Sequence, residues 1–391
     1  MSIEIREIRP EEQEESLYIG RQAFAHGRRA SGNWFQAPNR PALTAMGLWD
    51  EAGLQARLNI IAYQVHLGPD IIVPMGGLGG VSCLPASRGK GYAGALLKVT
   101  LERMRDAGQV ISSLYPFSWD FYRHYGWEWV GVNRTYTVPT RILKASPETK
   151  KVRAAKTSDR PQIEKCYAQF AGRYRGLLVR DEKRWNALLD DTEEHFTYTY
   201  LYEHEGEVEG YLTFRGGKSE GTELNDFLAL TPRARAGMLG LLRRHEMQTD
   251  KFTWSAPDND PLYHQLCHND VETKLEPMTQ GRIVDVAGAL RAWQLGREAT
   301  GVVTLGISDE HAPWNTGTWR VDFDAGHVVI QKTDAAPQLE MTIQTLSQAY
   351  YGTPTVAEIR EAQHMAVYDE RGYETFCQLF AGPSMWTCDG F

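Results

Sequence analysis

Apolar and charged positions largely alternate from Ile3 to Ile8, the period of a half-buried strand. Pro10 then opens an acidic run, Glu11-Glu12-Gln13-Glu14-Glu15. Acidic residues in a first turn complement the helix dipole, so a helix is predicted through Phe24. A strand is predicted over residues 57–65, and a glycine-rich, then apolar stretch covers 75–84. Residues 91–107 carry Leu96, Leu97, Val99, Leu101 and Met104 at helical spacing. A short strand over 109–115, a short helix over 119–125 stopped by Gly126 and a strand over 127–132 complete the unit.

Near residue 150 the pattern begins again. Val152 to Ala155 reads as a strand, Asp159-Arg160-Pro161 as a helix start, and Ile163 to Phe170 as an apolar helical face. Asp226-Phe227-Leu228-Ala229-Leu230-Thr231-Pro232-Arg233 echoes Gly80-Val81-Ser82-Cys83-Leu84-Pro85 and the basic turn behind it. Asp260-Pro261-Leu262-Tyr263-His264 echoes Asp120-Phe121-Tyr122-Arg123-His124. Residues 150–280 therefore read as a degenerate second copy. From Arg282 an amphipathic helix is predicted over 283–295. Hairpin-like strands follow over 302–307, 318–323 and 327–332, then helices over 343–350 and 356–360. The chain closes on an apolar, aromatic stretch ending at Phe391, whereas most termini are polar and frayed.

A length of 391 residues is too great for one core and predicts two to three domains. The apolar runs at 60–63 and 71–75 fall far short of the roughly 20 residues that span a bilayer, so no membrane partner is expected. The N-terminus lacks an apolar signal segment, and a cytoplasmic protein is expected. Cys83, Cys166, Cys267, Cys377 and Cys388 are scattered without a paired motif, which points to neither a disulfide framework nor a zinc site. His264 and His268 form no defensible ligand set, and no metal is expected. The net charge of −8 and the lack of long basic runs argue against nucleic acid and favour a cationic ligand.

The sharpest local signal is Leu84-Pro85-Ala86-Ser87-Arg88-Gly89-Lys90-Gly91-Tyr92-Ala93-Gly94. A strand ends, a basic glycine-rich turn follows, and a helix begins. Glycines admit close backbone approach, and helix N-terminal amides beside Arg88 and Lys90 suit a pyrophosphate. No Gly-Lys-Ser/Thr follows, so this is not a Walker loop. Gly89, Gly91 and Gly94 fit a dinucleotide fingerprint, but the next strand ends without the acidic residue a ribose needs.

Arg88-x-x-Gly91-x-Ala93 resembles the cofactor turn of the GNAT N-acetyltransferases, and Phe121-Tyr122-x-x-x-Gly126-Trp127 resembles the end of such a domain. With a degenerate copy behind it and a final unit beginning Arg282-Ile283-Val284-Asp285-Val286, the order resembles the Eis-like acetyltransferases. The resemblance implies an α/β (α+β) fold: two tandem GNAT-like mixed-sheet domains followed by a sterol-carrier-protein-like α/β domain. The expected divisions are 1–147, 148–281 and 282–391.

The resemblance also implies acetyl-CoA as co-substrate, held by Val81, Ser82, Cys83, Arg88, Gly89, Lys90, Gly91, Tyr92, Ala93, Gly94, Phe117 and Ser118. Tyr122 is the implied general acid, with Tyr125 as runner-up, and the terminal carboxylate of Phe391 the implied base. Trp34, Phe35 and Asp389 are candidates for the acceptor pocket. The expected acceptor is a polycationic, aminoglycoside-like amine, with polyamines or protein lysines as the alternative. A lipid-binding protein with a vestigial GNAT domain is an alternative of another class. A homo-oligomer, a hexamer by resemblance, is expected.

Overall fold

The computed structural model describes residues 3–24, 42–191, 196–216, 221–293, 299–324 and 326–390. The alternating N-terminus forms β1 (Glu4–Glu7), and the acidic run leads into α1 (Gln13–Phe24). β2 (Leu43–Asp50), β3 (Gly53–Gly68) and β4 (Ile71–Cys83) form an antiparallel meander. α2 (Tyr92–Asp106) then crosses over to β5 (Ile111–Leu114), which lies parallel to β4. A parallel pair needs such a crossover. The buried face of α2, from Leu96 to Met104, packs on Leu78, Leu114 and Trp127. α3 (Trp119–His124) leads into β6 (Glu128–Pro139).

The second copy contains β7 (Val152–Ala154), α4 (Arg160–Ala171), α5 (Glu182–Leu189), β8 (Thr197–His204) and β9 (Glu207–Arg215). β10 (Thr222–Ala229), α6 (Pro232–Arg243) and β11 (Lys251–Pro257) repeat the strand–helix–strand crossover, and β12 (Glu272–Ile283) follows. These strands form one sheet of 12, in the order β1-β2-β3-β4-β5-β12-β6-β11-β10-β9-β8-β7. β12 contains the expected boundary at residue 281. It pairs with β5 and β6, not with strands of the second copy.

The final unit holds α7 (Val286–Arg291), β13 (Gly301–Ser308), β14 (Gly317–Asp324), β15 (His327–Lys332) and β16 (Leu339–Thr342). α8 (Ile343–Tyr351), α9 (Val356–Glu361), β17 (Met365–Val367) and α10 (Glu370–Phe380) complete it. Its sheet of five runs β15-β14-β13-β16-β17.

The helix predicted over 283–295 begins later than expected. Arg282 and Ile283 are the last residues of β12, and α7 starts only at Val286. The Arg282 guanidinium is buried on the Asp309 carboxylate at 2.8 and 2.7 Å and donates to the Tyr125 carbonyl, which holds this segment extended. Residues 294 and 295 lie outside the described residues.

Arg175 fastens the final unit to the rest. Its buried guanidinium donates to the carbonyls of Ala349 and Tyr350 at the end of α8, and of Phe380 and Ala381 at the end of α10. A cation at helix C-termini is favoured by their dipoles. Its own backbone bonds to Ser384 and Trp386, which lays the chain's last stretch along the second copy.

Candidate active site

β4 and β5 pair from Met75–Ile111 to Leu78–Leu114 and then part. Among the described residues, β4 continues to Cys83 paired only with β3. A register shift opposite Arg57–Asn59 and a positive φ of 61° at Gly80 bulge this stretch. The opened edge borders a cavity of about 660 Å³.

The basic turn forms the rim of that cavity. The Ser87 hydroxyl donates to Gln55 at 2.6 Å and anchors its start. Gly89 and Gly91 have φ of 80° and 79°, and a side chain at either would meet only open space. The left-handed backbone needs glycine there, and nothing fills the room it leaves. Gly91 is also the N-cap of α2 and supplies no capping side chain. The first amides of α2 therefore face outward beside Arg88, a ready anion seat.

The second copy parts its strands in the same way. β10 and β11 pair in parallel only at Thr222–Phe252 and Glu223–Thr253. There Phe227 and Trp254 pack 5.4 Å apart in the cleft, and the cavity beside them is only about 110 Å³. Thr231 caps α6 by accepting from the Ala234 amide at 3.2 Å. The turn that leaves α2 open is replaced here by a self-capped helix.

Of the expected cofactor residues, Val81, Ser82, Cys83, Arg88, Gly89, Gly91, Tyr92, Ala93, Gly94 and Phe117 line the first cavity. Lys90 and Ser118 do not. Lys90 leans over the Tyr92 ring at 5.6 Å, and the Ser118 hydroxyl caps α3 by accepting from the Phe121 amide. Tyr92 is buried and its hydroxyl donates to Asp50 at 2.8 Å, so its side chain is structural. Gly94 seats the Tyr125 hydroxyl, which a methyl at that position would strike. Burial pushes the Cys83 thiol up despite Arg88 and Lys90, so it stays protonated near neutral pH and is a poor nucleophile.

Tyr125 lines the cavity, whereas Tyr122 stands behind the wall. Tyr122 packs against Phe117 at 5.2 Å and Phe121 at 5.0 Å. Burial pushes its phenol well above the ordinary value, so it keeps its proton across neutral pH.

A second cavity, of about 710 Å³, is bordered by Tyr63, α5, the ends of β9 and β10, and Cys388–Asp389. Tyr115, the residue after β5, donates to the Asp389 carbonyl at 2.9 Å. Phe117, two residues on, lines the first cavity. The chain's last stretch, part of the second cavity's wall, is thus tied to the segment that leads into the first cavity.

Asp389, expected to meet a cationic amine, lines this second cavity, and its carboxylate already has internal partners. Its carboxylate accepts from Arg180 at 3.1 and 3.2 Å, from Arg184 at 3.0 Å and from Tyr167 at 3.1 Å. Burial alone would push this carboxyl up, but the two guanidiniums outweigh it and hold it below its ordinary value. Arg180 also grips Asp226 at 2.6 and 3.0 Å, and Tyr211 donates to the same carboxylate at 2.8 Å. Asp389 is an anchor for the terminal run. Sequence reading missed Arg180, Arg184, Tyr167 and Tyr211. The one available signal was the arginine directly after the apolar triplet Leu177-Leu178-Val179. Trp34, Phe35 and Phe391 lie outside the described residues.

Comparison with known proteins agrees with this geometry. Family models described as acetyltransferase (GNAT) domain match residues 4–130 and 176–283, and a sterol carrier protein domain matches 286–387. An uncharacterised N-acetyltransferase of Streptomyces avermitilis is 24% identical over 339 residues, which are 81% of this chain and 82% of that one. The N-acetyltransferase Eis of Mycobacterium tuberculosis is 21% identical over 324 residues, 77% of each chain. The chain is a GNAT acetyltransferase with two GNAT domains and a C-terminal sterol carrier protein domain, and over most of its length it is similar to the Eis N-acetyltransferases. Solved structures share the family's fold. A GCN5-related N-acetyltransferase from Anabaena variabilis superposes with a TM-score of 0.89 at 22% identity, covering 100% of both chains. Eis1 from Mycobacterium abscessus gives 0.79 at 18% identity, covering 99% of this chain and 100% of its own. GNAT acetyltransferases use acetyl-CoA, and this chain is an acetyltransferase.

Proposed function

We propose that the chain transfers acetyl from acetyl-CoA to the amine of a small cationic acceptor, by direct attack in the first GNAT unit. The observation that carries this is the parted β4–β5 edge running into an uncapped helix N-terminus. The opened strand offers unpaired backbone to an amide-bearing arm, and the amides of α2 with Arg88 suit its pyrophosphate. Acetyl-CoA, when bound, supplies an acetyl carbon already activated as a thioester.

The acceptor enters from the second cavity. Its nitrogen forms a bond to the acetyl carbon as the carbon–sulfur bond breaks. A backbone amide near Val81–Cys83 polarises the carbonyl. The Phe391 carboxylate takes the amine proton, and Tyr122, kept protonated by burial, supplies one to the sulfur. The protonated Cys83 thiol disfavours an acetylated cysteine on the way.

Polycationic amines of the aminoglycoside type are the acceptors this reading begins from, with polyamines and protein lysines behind them. We assign residues 1–147 the catalytic role. The second copy and the final unit hold the terminal run in place. The lipid-binding alternative is disfavoured because Trp293, Tyr350, Phe376 and Phe380 pack together inside the final unit. The reading also carries a cytoplasmic homo-oligomer. Among the described residues no helix is long and apolar enough to cross a membrane.

The test is the product mass of amines incubated with acetyl-CoA and the chain. Gains in acetyl units are expected, and one residue added after Phe391 should reduce them at least tenfold. No gain with any amine overturns the transferase reading, and a fully active extended chain removes the terminal carboxylate from it.

A further inference from the structure

The acceptor cavity is lined by three arginines, Arg180, Arg184 and Arg215, and by four carboxylates, Asp181, Glu223, Asp226 and Asp389. Its inner charges cancel. Arg180 is bidentate to Asp226, and Arg180 and Arg184 share Asp389. Such a floor offers a polycation little net field. What remains is one cation and two anions. Asp181 caps α5 by accepting from the Arg184 amide at 2.8 Å, and Glu223 is exposed.

Arg215 is, among the described residues, the lining arginine without a carboxylate partner. Among the described residues its guanidinium makes a single hydrogen bond, to the Ala187 carbonyl at 2.9 Å, and no ion pair. Its Nε is buried without a partner. Leaving guanidinium donors unmatched at the wall of a polar cavity is costly unless an anion meets them. A planar guanidinium fits a carboxylate in the bidentate mode. Glu223 stands close by. Leu224 lies opposite Phe214 in the β10–β9 pair, so the next residues outward on the two strands are Glu223 and Arg215. A cation and an anion without ion pairs among the described residues, both on the cavity wall, match the carboxylate and ammonium of an amino acid. Cys388 and Asp389, which lead to the reaction centre, form another part of the wall. A cavity of this size suits a ligand of that scale.

Resting on the acetyl-transfer reading above, we propose that the acceptor is an amino acid with a distal amine. Arg215 reads its carboxylate, Glu223 its α-ammonium, and the distal amine reaches the terminal run and is acetylated.

The test compares kcat/KM for L-lysine, for cadaverine (lysine without its carboxylate) and for kanamycin, in the native chain and in Arg215→Gln. Lysine should exceed cadaverine at least tenfold, about what one charge-assisted bidentate contact supplies. Arg215→Gln should collapse that ratio towards unity, and Arg215→Lys should retain part of it. Thermal melting shows whether each variant is folded. The ratio is read within one protein, so a general loss of activity does not mimic the result. Cadaverine or kanamycin preferred over lysine, or a ratio untouched in Arg215→Gln, overturns the proposal while leaving the transferase reading intact. No acetylation of these three amines, with acetyl-CoA still raising the melting temperature, also overturns it alone. No acetylation and no response to acetyl-CoA overturns both.

Discussion

Tyr122, the proposed acid, keeps its proton because burial raises its phenol above the ordinary value. Such a phenol is protonated at neutral pH and gives up its proton only where negative charge on a neighbouring atom takes it up. Tyr122→Phe is expected to lower kcat about a hundredfold, with KM for acetyl-CoA little changed. Tyr125→Phe, on the cavity wall, is expected to shift KM instead. A Tyr122→Phe enzyme with near-native kcat would remove the acid role. Asp389 shows the opposite balance, since two guanidiniums keep a buried carboxylate ionised. Its folded-state pKa lies below the unfolded value, so its stabilisation is present above the ordinary carboxylate range and lost as pH falls through the depressed value. Urea midpoints measured from pH 6 to pH 3 should therefore fall more steeply for the native chain than for Asp389→Asn. At neutral pH that variant should melt lower, because breaking a buried pair costs about 3–5 kcal/mol.

Two helix N-termini differ between the copies, and the proposed division of roles rests on that difference. α2 begins at a glycine with φ of 79° and no capping side chain, and α6 begins at a threonine that caps it. Gly91→Ala places a side chain in the left-handed region at a cost of about 1–2 kcal/mol and displaces the turn. KM for acetyl-CoA should rise about tenfold with only a small fall in melting temperature. An unchanged KM would detach that turn from cofactor binding. These local features were legible in sequence because they need no distant partner: the alternation of β1, the acidic entry to α1, the face of α2 and the glycines of the turn. β12 was not legible. Its outer half reads as polar, and its neighbours β5 and β6 are far away in sequence. The extended Arg282 likewise depends on Asp309.

On the scale of the whole molecule, the chain's last stretch is held by residues from every part. Arg175 bonds to its backbone, Arg180 and Arg184 grip Asp389, and Tyr115 joins it to the first unit. This explains why Asp389 read as a free acid in sequence, since Arg180 stands 209 positions away. Of the two GNAT domains, the first borders a cavity of about 660 Å³ and the second one of only about 110 Å³. The second domain contacts the terminal run through Arg175, Arg180 and Arg184, and in the proposed division it supports that run while packed aromatics occupy its own cleft. The most direct test of this division is the number of acetyl-CoA molecules bound per chain, measured by titration calorimetry. One per chain is expected, with affinity weakened in Gly91→Ala. Two per chain would mean the second cleft also binds, and none would contradict the account of the first.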